Sequence, residues 1–207
     1  MNDFKGPRYR PELNKRNEWL NKIEDITVDD RFIYAAKRIH DEKTIARDDY
    51  DMRTNGRLRK SSKHAENLPE EALYVGMLGE AVIAWKYGVI KCWFEEQKKQ
   101  IEIVKKYGFF DTIDIGRTQI RTGYYDERMV SIIVRPGDFI SKSGQPIVGC
   151  VYYPKNKSMK ICGWTTLEEV KNRDTQFGSY GGDGTSAFMV APYDLNPMST
   201  FDENYLK

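Results

Sequence analysis

Histidine is scarce in this chain: His40 and His64 are the only two among 207 residues. That argues against a histidine-rich zinc site, a His-Asn-His nuclease site and a two-histidine phosphoesterase, which need imidazole as ligand or base. His64 lies in a polar, basic stretch and reads as surface. Cysteine is nearly as scarce. Cys92, Cys150 and Cys162 have no metal-ligand spacing. Two of them fall in apolar strand-like runs, where a free thiol packs as a small hydrophobe. An odd count without a signal peptide points to a reducing compartment. No apolar run approaches the ~20 residues of a membrane span, so a cytoplasmic protein with no membrane partner is expected. The net charge of +2 is too small to imply a polyanionic partner by itself.

Charge is uneven along the chain. No acid occurs in residues 52–65, which carry Arg53, Arg57, Arg59, Lys60 and Lys63. After Arg173 come Asp174, Asp183, Asp194, Asp202 and Glu203 against Lys207 alone. A basic segment with an acidic tail suggests one face for an anionic partner, and those five basic residues are candidate phosphate contacts. With 40% apolar and 31% charged residues the chain has the makings of a globular core.

Two regions are expected. Residues 1–69 read as an N-terminal arm: a polar start with Pro7 and Pro11, one helix over 31–47, then a loop or extended connection over 48–67. From Pro69 the signal strengthens. Pro69 and two glutamates open a helix to about Tyr87, stopped by Gly88, with Leu73, Met77, Ala81, Ala84 and Trp85 at helical spacing. Gly76 and Gly79 weaken that helix but permit close backbone approach. Residues 92–107 look like an exposed helix or excursion. Strand-like runs follow at 109–115, 118–122, 129–135, 147–153 and 158–164, with a hairpin turn at 154–157 between the last two. Thr165-Thr166-Leu167-Glu168 has the form of a capping box opening a short helix. The glycine-rich run 178–184 has no following lysine and reads as a surface loop rather than a nucleotide cradle. Residues 186–190 read as a further strand. Helix, strands, helix make residues 70–207 an α/β domain with a central mixed sheet flanked by helices.

The chemistry concentrates in two places. Glu80 is the only charged residue between Glu71 and Lys86. A carboxylate buried there must be paired, hydrogen-bonded or bound to a metal; a salt bridge to Arg121 or another core cation is the structural alternative to a site role. Residues 108–122 read as two short strands joined by a tight turn at Gly116. Asp111 and Asp114 lie on the first strand, three apart and so on opposite sides. Gln119 and Arg121 share one face of the second while Ile120 points the other way. Asp114, nearer the turn, is the preferred site aspartate. Tyr124, Tyr125 and Arg128 follow the second strand and Arg135 ends the next; these could stack on bases or hold phosphates.

With Glu80 on a helix, Asp114 on the following strand and Gln119-Ile120-Arg121 on the next, the chain resembles the PD-(D/E)XK nuclease superfamily. Three further motifs resemble its small phage-encoded members: Gly76-Met77-Leu78-Gly79-Glu80, Arg121-Thr122 and Ile161-Cys162-Gly163-Trp164-Thr165. The likeness covers roughly residues 70–200. It implies a restriction-endonuclease-like core and a metal-dependent nuclease acting on DNA more readily than RNA. Glu80, Asp114 and Gln119 would hold Mg²⁺ or Mn²⁺, and Arg121 would be the fourth catalytic residue. It also implies a bacterial host cytoplasm for a phage-encoded protein, and a homodimer or a phage or host protein as further partners. The chain departs from the family where Gln119 replaces an acid and Arg121 replaces lysine. An amide oxygen can bind a hard cation but adds no charge. Arginine can grip phosphate but stays protonated. A catalytically silent relative that binds nucleic acid or a protein partner, or one using the fold as a scaffold, is the alternative.

Overall fold

The computed structural model describes residues 13–54, 74–107, 114–125, 132–134, 144–172, 176–179 and 186–207. Chain order is α1 (Leu13–Asn21), β1 (Ile26–Thr27), α2 (Asp30–Arg53), α3 (Val75–Lys86), α4 (Ile90–Tyr107), β2 (Gln119–Tyr124), β3 (Ile132–Val134), β4 (Pro146–Tyr153), β5 (Ser158–Thr166), α5 (Leu167–Asn172), β6 (Gln176–Ser179) and β7 (Ser186–Val190). The fold is α/β. A mixed four-stranded sheet runs β1-β5-β4-β2, and a three-stranded antiparallel sheet runs β3-β7-β6. In the first, β4 is antiparallel to β5 and parallel to β2, which forms one edge.

β4 is buried along nearly its whole length because both its faces are covered, which is why it reads as an unbroken apolar run. Val148, Cys150 and Tyr152 point into a core shared with Ala36 and Ile39 of α2 and with Leu78, Ala81 and Val82 of α3. Ile147 and Val151 point the other way, against Leu20, Ile132, Val134, Leu167, Val170 and Val190. Residues from before position 69 thus enter both cores, and β1 pairs with β5.

Several sequence expectations change in the structure. α2 continues to Arg53, although the sequence pattern predicts a loop from residue 48. Its last turns lack an apolar stripe, but Ala46 packs with Ile101 and Val104, and the Arg53 guanidinium donates to the Lys105 and Asp49 carbonyls. Residues 92–107 are not an excursion. They form most of α4, which buries Trp93, Gln97, Gln100, Ile101 and Val104 in one helical stripe. Two glutamines in that stripe disguise it as polar. The capping box sits one residue later than expected: Glu169 N–H donates to Thr166 Oγ1 at 3.2 Å and Thr166 N–H to Glu169 Oε2 at 3.0 Å. Of the expected strand 129–135, residues 132–134 are described and form β3; residues 108–113 and 55–73, which include most of the basic run, lie outside the described residues.

The hairpin before β2 closes through an Ile115–Thr118 bridge, with Gly116 in the left-handed conformation at φ 55°. A side chain at Gly116 would also lie 2.7 Å from the Tyr205 carbonyl oxygen. That carbonyl accepts the Arg117 N–H at 2.7 Å and the Thr118 hydroxyl at 3.1 Å. The C-terminal turn therefore clamps the hairpin that carries Asp114.

Candidate functional site

α3 brings Glu80 to the sheet by an unusually close approach. A Cβ placed on Gly79 would sit 1.8 Å from Thr122 Oγ1 of β2, so only glycine lets helix and strand meet there. The neighbouring Gly76 has open space around it and is not part of that contact. Glu80 is 2% exposed. Its Oε2 accepts from Trp93 Nε1 at 2.9 Å and from Gln97 Nε2 at 3.0 Å, both on α4. Gln97 Nε2 also reaches the Asp114 carbonyl at 3.4 Å, so one amide ties α3 to the hairpin. Acceptors on both sides of that nitrogen fix the amide orientation.

Asp114 uses Oδ2 to accept the Ile120 N–H at 2.7 Å. That N–H belongs to the sheet's edge strand, and the carboxylate satisfies it there. Burial, first, and the charge of Asp114, second, push Glu80 up to about 8; Lys43, the Trp93 hydrogen bond and Arg121 oppose that rise. Lys43 of α2 is itself 7% exposed and donates to Gln100 Oε1 at 2.7 Å and to Met77 Sδ at 3.5 Å. Burial lowers its pKa, while Glu80 and Asp114 act to raise it. A helix glutamate, a hairpin aspartate and a helix lysine thus share one poorly solvated cluster.

Gln119 and Arg121 do share a face. Arg121 Nη2 donates to Gln119 Oε1 at 3.0 Å. Ile120 packs in the core on the α3 side, and Thr122 meets Gly79, so Gln119 and Arg121 lie on the other face of β2. The register agrees: Gln119 aligns with Ile147, which belongs to the opposite core. Because β2 is an edge strand, the charge of Arg121 still reaches Glu80, as the smallest of the influences on it. The structure therefore links Glu80 to the Asp114 backbone through the Gln97 amide and sets Gln119 and Arg121 on the opposite face of the sheet edge.

The expected nucleic-acid contacts fare unevenly. Arg53 is engaged with helix carbonyls. Tyr124 packs edge-on against Tyr152 and Tyr125 stacks on Tyr153, with centroids 6.4 and 4.3 Å apart. Arg57, Arg59, Lys60, Lys63, Asp111, Arg128 and Arg135 lie outside the described residues. Lys43, Trp93, Gln97 and Gln100 do not stand out in the sequence. The signal that could find them is a polar residue at a core position: Lys43 falls on the buried stripe Ala36, Ile39, Lys43, Ala46, and both glutamines on that of α4.

Among the described residues no three His, Cys, Asp or Glu side chains gather as a metal-holding group. Two crowded carboxylates still fit a hard cation, because Mg²⁺ is usually held through one or two carboxylates with waters and substrate phosphates. A positive ion would also favour the charged form of Glu80 against the burial, first, and the Asp114 charge, second, that raise it. Compared with known proteins, the chain matches no family model, no curated protein and no solved structure.

Proposed function

We propose that this protein is a metal-dependent phosphodiesterase acting on nucleic acid, DNA before RNA, on a restriction-endonuclease-like form of the α/β fold. The observation that carries the reading is the Gln97 amide that ties buried Glu80 to the backbone of Asp114, with a buried lysine on which both acids act electrostatically. Glu80 and Asp114 would hold Mg²⁺ or Mn²⁺; Gln119, on the other face of β2 with its amide oxygen accepting from Arg121, would not join them. The ion, when bound, supplies Lewis-acid polarisation of a phosphoryl oxygen and a more acidic water. Arg121 cannot serve as a base; its guanidinium offers two donors to a phosphate. Lys43 adds a second positive charge on the α2 side of the carboxylates, where preorganised charge in a dry site counts most.

A second reading is a silent member of the same fold that binds nucleic acid or a protein partner. It is favoured by the saturation of Glu80 Oε2 by two donors and by the Gln119–Arg121 hydrogen bond, which occupies the groups expected to face a phosphate.

The test is incubation with plasmid, linear duplex, single-stranded DNA and RNA in Mg²⁺, Mn²⁺ or EDTA. Metal-dependent cutting that Asp114→Asn abolishes supports the first reading. Binding without cutting, with cutting gained by Gln119→Glu plus Arg121→Lys, identifies a silenced site. No binding to any of the four sinks the first reading and leaves the second with a protein partner alone.

A further inference from the structure

Beside the carboxylates, on the outer side of α2 and α4, lies a cavity of about 520 Å³. That is within the usual range for a small-molecule site. One wall carries Tyr34 and Arg38 of α2, the other Phe94 and Lys98 of α4, and Gln97 joins them. Tyr34 is 70% exposed and Phe94 40% exposed, so both rings are open to solvent at the cavity. Glu42 also lines the cavity and accepts the Arg38 Nε–H at 2.9 Å. With Arg38, Lys98 and Glu42 the wall keeps a net positive charge. Gln97 is the link to the site already described. Its Nε2 bonds Glu80, and its Oε1 is buried without a partner among the described residues. A buried carbonyl oxygen left unpaired is costly and calls for a donor.

We infer that this cavity takes a nucleotide of single-stranded nucleic acid, its base against Tyr34 and Phe94 and its phosphate near Arg38 and Lys98. The inference rests on the phosphodiesterase reading and specifies its substrate. Aromatic faces bind any base whose flat side is open. In a duplex those faces are stacked inside, so rings on two cavity walls select an unpaired strand. The basic side chains match a phosphate backbone, and the Gln97 amide places the occupant one side chain from Glu80.

The test uses the full chain, fluorescein-labelled 12-mer single strands, the matching duplex and free dAMP and dTMP, with anisotropy read in EDTA so that no strand is cut. Tyr34→Ala with Phe94→Ala changes exposed positions and should weaken single-strand binding by about tenfold or more. Arg38→Ala with Lys98→Ala should lower the salt slope by roughly 0.7 for each phosphate that is no longer neutralised. Thermal melting confirms that both variants fold. Single-strand affinity unchanged by the aromatic pair, or free nucleotide bound while the strand is not, overturns the inference. The two readings separate cleanly. Metal-dependent cutting that persists while single-strand affinity is unchanged in the aromatic pair leaves the phosphodiesterase and removes the cavity's role. Single-strand binding abolished in the aromatic pair, with no cutting in any metal, leaves the cavity and removes the phosphodiesterase.

Discussion

Two lysines, Lys43 and Lys160, are each 7% exposed, and they are buried in different ways. Lys160 of β5 donates to the Ile23 carbonyl at 2.8 Å and lies 3.1 Å from Asp25 Oδ2. It is a strut tying the chain before β1 to the sheet, its charge met at close range by a carboxylate that remains 60% exposed. Lys43 hydrogen-bonds neutral groups on α3 and α4 and senses two carboxylates electrostatically. A buried charge matched at close range is a structural element. A buried charge held by neutral groups in view of two acids sits where a substrate's charge can change the balance. The strong polar burdens, Lys43, Glu80, Gln97 and Gln100, cluster on the α2–α3–α4 side of the molecule.

That contrast breaks most sharply under substitution by methionine, which keeps much of the stem but not the charge. Lys43→Met should lower phosphodiester cleavage about 100-fold, the effect of removing one preorganised charge, with little change in stability because a desolvated cation is removed. Lys160→Met should leave cleavage unchanged and lower stability by about 1 kcal/mol, a value kept small by the exposure of Asp25. Equal cleavage rates for the two variants would erase the distinction.

A second prediction sharpens it through pH. Glu80 is raised from 4.5 to about 8 in the folded chain, so in that window the folded state keeps a proton that the unfolded state has released. Stability should therefore fall as pH rises from about 4.5 to about 8. Glu80→Gln should flatten this part of the profile in denaturant titrations at several pH values. Lys43, lowered by burial, gives the opposite slope in the alkaline range, so the comparison belongs below pH 8. Millimolar Mg²⁺ should also reduce the slope in the natural chain and should release protons on binding; an unbuffered titration reads that release. A flat wild-type profile would show that Glu80 is solvated.

The smallest expected effects separate the two glycines of α3. Gly79→Ala meets Thr122 Oγ1 and should cost about 1–3 kcal/mol, shifting Glu80 with it. Gly76→Ala has open space and should stabilise by about 0.5–1 kcal/mol through helix propensity. Melting temperatures moving in opposite directions is the expected result.

These residues also show where sequence reading succeeds. Glu80 stands out because nothing else charged interrupts its helix, and β4 and β5 because apolar runs bounded by a Pro-containing turn have few alternatives. The turn at Gly116 is readable because its left-handed backbone favours glycine. What escapes is the set of polar residues on buried stripes. Lys43 and Gln97 fall on the core stripes of their helices, but their polarity disguises them, and the helices that bury them arrive from distant parts of the chain. Alternation along β2 gives Gln119 and Arg121 their shared face, and their hydrogen bond bears it out. The side of the sheet on which that face lies depends on where α3 packs, and local alternation carries no such information.

The clamp on the hairpin sets an order in time. Thr118 and Tyr205 are 87 residues apart in sequence, and a ribosome adding about 5–20 residues per second takes roughly 4–17 s to go from one to the other. Throughout that interval the segments bearing Lys43, Glu80 and Gln97 have already been synthesised, while the hairpin bearing Asp114 still lacks the carbonyl that fastens it. The hairpin is fastened only when residue 205 has been made and has folded back onto it.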